Sequence, residues 1–160
     1  MSTKPPAALP LRIPKNARIA VIAARFNEPI VEELLRGCLE RLAELGVSDR
    51  CVEIHRVPGS FELPVAAKLA ARTRRFSAII CLGAVIRGQT PHFDYVAGQA
   101  ARGIQQVALD EALPVIFGVL TTENERQARD RIGGRHGHAG KNAAQAAVEM
   151  IAMAAKLVKR

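Results

Sequence analysis

Short apolar runs alternate with longer amphipathic stretches through most of this 160-residue chain. "RIAVIAA" (18–24) has the unbroken hydrophobicity of a strand buried on both faces. "EPIVEELLRGCLERLAELG" (28–46) follows with helical periodicity, Pro29 in its first turn and Gly46 as its stop. "CVEIHRV" (51–57) and "ELPVAAKLAARTRR" (62–75) repeat the pair. "SAIICLGAVI" (77–86) is the most apolar run, "PHFDYVAGQAARGIQQVALDEA" (91–112) is again helical, and "PVIFGVL" (114–120) predicts a fourth strand. In "TTENERQARDRI", Thr122 and Glu125 have the spacing of a capping box. A last helix is expected from about 140 to 158, closed by Lys156, Lys159 and Arg160, which suit the negative end of its dipole.

This alternation predicts an α/β fold, a three-layer sandwich with a central four-stranded parallel sheet, helices on both faces and right-handed crossovers. Four prolines within the first fourteen positions predict an extended arm over residues 1–16, ahead of a single domain at 17–160. Ligands of such sheets bind beyond the carboxyl ends of the strands. The chemistry should therefore lie in the four strand-to-helix turns.

Composition narrows the ligand class. Hydrophobic residues make up 49% of the chain but aromatic ones only 4%, so the core must be built from Ala, Val, Ile and Leu. A formal charge of +8 suits nucleic acid, an anionic membrane or a phosphorylated small substrate. Scarce stacking residues, with no zinc spacing and no RNA-recognition signature, set nucleic acid aside. No apolar run reaches the roughly 18 residues of a membrane span. Cys38, Cys51 and Cys81 lie in apolar stretches and suit a reducing compartment, so a soluble cytoplasmic protein is expected.

The first turn, "AARFNEP", puts Phe26 and Asn27 where they could staple and cap the helix, or where the ring could stack on a flat ligand. The second, "VPGSFELP", offers Gly59 for close backbone approach, Ser60 as an expected N-cap, Phe61 as a second turn aromatic, and Glu62. The third, "IRGQTPHFDYV", combines Gly88, Gln89 and Thr90 with a helix N-terminus, a combination suited to an anion. His92 follows in the first helical turn, where an imidazole could exchange protons beside that anion. The fourth leads into a basic segment with Arg126, Arg129, Arg131, Arg135, His136, His138 and Lys141. Its two histidines spaced two apart lack a third ligand, so no metal site is expected.

Taken together, "ARFN", "VPGSFELP", "LGAVIRGQTPHFDYV", "GVLTTEN" and the Arg131–Lys141 segment resemble the 6,7-dimethyl-8-ribityllumazine synthase family from about residue 17 to 158. The resemblance implies a flavodoxin-like fold and condensation of 5-amino-6-ribitylaminouracil with 3,4-dihydroxy-2-butanone 4-phosphate, the penultimate step of riboflavin biosynthesis. It implies Phe26 stacking on the pyrimidine with Asn27 beside it, and Ser60 and Glu62, flanked by Gly59 and Phe61, at the ribityl chain. Val85 and Ile86 would read the pyrimidine edge through their backbone. Gln89 and Thr90 fall at phosphate-binding positions and His92 at that of the proton-transfer histidine. Phe117, Arg131 and Lys141 would come from a neighbouring subunit, with Arg131 the main phosphate ligand. No cofactor is implied, and the partners implied are the two substrates, further copies of the chain and riboflavin synthase. The segment after Arg131 is about two residues longer than the shorter family pattern, which favours a pentamer over an icosahedral shell. The residues alone also fit a non-catalytic flavin binder on the same scaffold.

Overall fold

The structure, a computed structural model, describes residues 13–158. The expected arm falls largely on residues 1–12, outside the described residues, as do Lys159 and Arg160. The four apolar runs form β1 (Ile19–Ala24), β2 (Val52–Val57), β3 (Ala78–Ile86) and β4 (Val115–Thr122). They pair in one parallel sheet in the order β2-β1-β3-β4. β1 is buried at every position, and β3 at every position but the last, as unbroken hydrophobicity in a central parallel strand requires.

Among the described residues, five α-helices connect and cover the strands: α1 (Glu28–Glu44), α2 (Leu63–Arg72), α3 (His92–Glu111), α4 (Glu125–Arg129) and α5 (Ala139–Val158). Alternate strand residues serve opposite faces. Val21, Ile80 and Leu82 meet Leu34, Leu42, Ala144 and Val148 of α1 and α5. Ile22, Ile79 and Cys81 meet Leu63, Ala67, Ile104 and Val107 of α2 and α3. This is the expected flavodoxin-like three-layer arrangement. α1 leaves β1 for one face while α3 leaves the adjacent β3 for the other, so the connections diverge between the carboxyl ends of these two strands. A crevice opens at such a switch point.

α1 stops at the expected place, with Gly46 in the left-handed region at φ 82°. Two local expectations, both of helix caps, are corrected. The cap of α4 is Asn124, whose Oδ1 accepts the Gln127 N–H at 3.0 Å, because Thr122 is the buried last residue of β4 and cannot reach the helix. Ser60 is not an N-cap either; it is 5% exposed beneath β3, at the start of a 3₁₀ turn (Ser60–Glu62). The glycine-rich segment after Arg131 is an antiparallel hairpin of β5 (Ile132–Gly134) and β6 (Gly137–His138), with Gly133 and Gly137 at φ 111° and 76°.

The hairpin and the start of α5 press against α1. A Cβ on Gly140 would lie 2.0 Å from the Leu34 carbonyl oxygen, and one on Gly37 would lie 2.1 Å from the His138 ring. Both imidazole nitrogens of His138 are buried without a hydrogen-bond partner. Burial, and then the charges of Lys141 and Arg36, hold its pKa below the ordinary value of 6.5 against the opposing pull of Glu40 and Glu33.

Candidate active site

The first two turns and β3 are tied together by hydrogen bonds. The N–H groups of Arg25 and Phe26 donate to the carbonyls of Val57 and Pro58 at 2.8 and 3.0 Å, joining the first turn to the second. Asn27 adopts the left-handed conformation at φ 59°, and its Nδ2 donates to the Ala84 carbonyl at 2.8 Å. The amide therefore ties the first turn to β3 and does not cap α1. In the second turn Glu62 Oε2 accepts the Gly59 N–H at 2.9 Å. Gly83 of β3 leaves space for Ser60, since a Cβ there would stand 2.5 Å from the serine Oγ.

These contacts shape a crevice of about 500 Å³ at the carboxyl ends of β1, β2 and β3. It gathers Phe26, Asn27, Gly59, Ser60, Phe61, Glu62, Val85, Ile86, Thr90 and His92 from four separate stretches of chain. Phe26 and Phe61 are exposed at 73% and 55%, a large apolar area to leave wet unless a ligand covers it. Sequence reasoning missed Tyr95 and Val96, which also line the crevice. The signal was present, for Tyr95 follows His92 at the i,i+3 spacing that puts both on one helix face.

It also passed over Arg87. The guanidinium donates to both oxygens of Asp94 at 3.0 and 3.2 Å, pairs through Nε with Glu123 at 2.9 Å, and lies 4.1 Å from the Phe93 ring centroid. These carboxylates raise the Arg87 pKa above its usual value, and the guanidinium lowers that of Asp94. The Arg87 N–H donates to the Thr122 carbonyl at 2.9 Å, so one residue joins the ends of β3 and β4 to the first turn of α3, where His92 begins.

The remaining expected residues lie elsewhere. Gln89 is exposed on the third turn but does not line the crevice. Phe117 is 42% exposed on β4, at the sheet edge. Arg131 follows α4, donates from Nη1 to the Gln127 carbonyl at 2.8 Å and lines a second cavity of about 460 Å³. The two cavities share no lining residue. Lys141 joins neither; its Nζ pairs with Glu40 at 3.1 Å and Glu44 at 3.8 Å on α1.

Residues 16–155 match the family model described as 6,7-dimethyl-8-ribityllumazine synthase. The chain belongs to the 6,7-dimethyl-8-ribityllumazine synthase family. It is 51% identical over 136 residues to the protein named 6,7-dimethyl-8-ribityllumazine synthase from Protochlamydia amoebophila (strain UWE25), an alignment covering 85% of this chain and 79% of that one. It is accordingly a transferase of riboflavin biosynthesis that acts on small molecules. Among the described residues, no group of three or more His, Cys, Asp or Glu side chains is placed to hold a metal ion. None of the described helices is long and apolar enough to cross a membrane.

Proposed function

We propose that the crevice is the pyrimidine end of the lumazine synthase site, and that Phe117 and Arg131 complete it from an adjacent copy of the chain. The observation that carries this reading is the separation itself. The ring-stacking, ribityl-facing and proton-transfer candidates converge in one crevice, while Arg131, the candidate phosphate ligand, opens into another cavity. Symmetric association of identical subunits brings such halves together.

On this reading the flat pyrimidine stacks on Phe26, the backbone of Val85 and Ile86 reads its edge, and Ser60 and Glu62 meet the ribityl hydroxyls. Gln89 and Thr90 receive the phosphate together with the neighbouring Arg131, whose planar fork matches a phosphate well. The chemistry asks little more. The substrate's own 5-amino group attacks the butanone carbonyl, and the resulting carbinolamine loses water to give an imine. Phosphate leaves by elimination, and the ribitylamino nitrogen closes the ring with loss of further water. The nucleophile belongs to the substrate and the leaving group is already good. The protein's work is alignment of two substrates and proton transfer, both within reach of a positioned crevice and an imidazole at His92. Lys141, held by two carboxylates of α1, is left out of this assignment.

The assembly favoured is a homopentamer, supported by the length of the segment between Arg131 and Lys141, with riboflavin synthase as a further partner. Three free cysteines, two of them buried with pKa values pushed up to about 12, accord with a cytoplasmic location. The test of the shared site is complementation. His92→Ala and Arg131→Ala subunits should each be nearly inactive alone, whereas co-expressed mixtures should recover roughly a quarter of wild-type activity, since random pairing restores some intact sites. Mixtures no more active than either variant would place both residues in one subunit's site.

A further inference from the structure

Arg126, Gln127, Asp130, Arg131, Arg135 and His136 surround the second cavity. Asp130 is the carboxylate set against these three guanidinium groups. None of the ion pairs among the described residues engages Arg126, Arg131 or Arg135. A cavity edged by cations without carboxylate partners is built for an anion that arrives from outside.

We propose that Arg135 is the second cation that grips the butanone phosphate beside Arg131, and that Lys141 takes no part. The backbone holds Arg135 there. The His136 N–H donates to the Asp130 carbonyl at 2.8 Å and the Ala139 N–H to the Arg131 carbonyl at 2.8 Å, folding the hairpin back over the end of α4. The preceding residue must be glycine for that approach, because a Cβ on Gly134 would lie 2.8 Å from the Asp130 Cα. Arg135 is thereby held close to Arg131 on the same cavity wall, with its guanidinium in no ion pair among the described residues. Lys141 would have to abandon Glu40 and Glu44, leaving them to Arg36 and Arg41 alone on α1. Two arginine forks also suit a phosphate monoester better than one fork and a point charge.

The inference rests on the reading that Arg131 receives the phosphate, so its test includes Arg131→Gln as a reference. Steady-state kinetics with the butanone phosphate varied, and inorganic phosphate as a competing probe, would compare Arg135→Gln with Lys141→Gln. Arg129→Gln, an exposed arginine paired with Glu125, serves as the charge-matched control. The Arg135 variant should raise the KM for the butanone phosphate and the Ki for phosphate about tenfold, with kcat and the pyrimidine KM nearly unchanged. The Lys141 and Arg129 variants should stay within about twofold of wild type. A silent Arg135 variant alongside a weakened Arg131 variant would overturn the inference alone. So would a loss in the Lys141 variant, or an equal loss in the Arg129 control. A silent Arg131 variant would instead bring down the phosphate reading of this face, and the role of Arg135 with it.

Discussion

Replacing Phe26 with alanine separates ligand binding from folding more cleanly than any other change in the crevice. The ring is 73% exposed, so its removal takes little from the core. The Phe26 N–H bond to Pro58 and the neighbouring Asn27 bond to Ala84 do not involve the ring and survive. Stability should therefore change by no more than about 0.5 kcal/mol, a shift of a few degrees at most in Tm. The ligand loses much more. A heterocycle stacked on an aromatic ring gains about 1–3 kcal/mol, which at about 1.4 kcal/mol per tenfold becomes roughly 5- to 150-fold weaker binding. Fluorescence titration with the pyrimidine or the lumazine product, beside a thermal melt of the same preparation, reads both quantities. Unchanged affinity would refute the stacking role. A fall in Tm of more than about 10 °C would refute the claim that the ring stands outside the core.

Further changes probe the supports of the site. Arg87→Ala removes the link between α3's first turn and the ends of β3 and β4, so kcat should fall about tenfold through misplacement of His92, and Arg87→Lys should recover part of it; equal kcat values in both variants and wild type would show that the link does not position the histidine. Gly140→Ala drives a methyl into the Leu34 carbonyl, a backbone atom that cannot swing aside, and should cost about 1–3 kcal/mol or more in denaturant unfolding. His138 gives a pH signature. With its folded-state pKa held below 6.5, the unfolded chain takes up the proton first, so stability should fall as pH drops below 6.5. Glu33 and Glu40, whose folded pKa values are lowered from 4.5, begin to lose their stabilising contribution only below that value. Thermal melts between pH 7.5 and 5.5 should therefore slope for wild type and flatten for His138→Asn; equal slopes would assign the effect to other groups.

The parallel sheet was legible because β1 and β3, buried on both faces, leave unbroken apolar runs that no surface strand would carry. The crevice was legible because Phe26, Gly59, Ser60 and His92 occupy turns that the topology must place at one end of that sheet. What failed was local chemistry under tertiary control. Thr122 has the spacing of a cap, yet β4 runs past its apolar stretch through Thr121 and Thr122 and buries the hydroxyl, leaving Asn124 to cap α4. Ser60 looks like an N-cap until Gly83, distant in sequence, makes a slot for it. Nor does its own segment show that Lys141 pairs with Glu40 and Glu44, far earlier in the chain. The hairpin over Ile132–Gly134 and Gly137–His138 has too few residues for a period to show. Arg131 and Phe117 stand apart from the crevice in one chain, and their own pattern gave no role there beyond what the family resemblance implied.

The most direct test of the account mixes the purified protein with 5-amino-6-ribitylaminouracil and 3,4-dihydroxy-2-butanone 4-phosphate, and follows lumazine absorbance and phosphate release in the same sample. Both products should appear together in equal amounts over many turnovers. Tight binding of the pyrimidine with neither lumazine nor phosphate formed would contradict it.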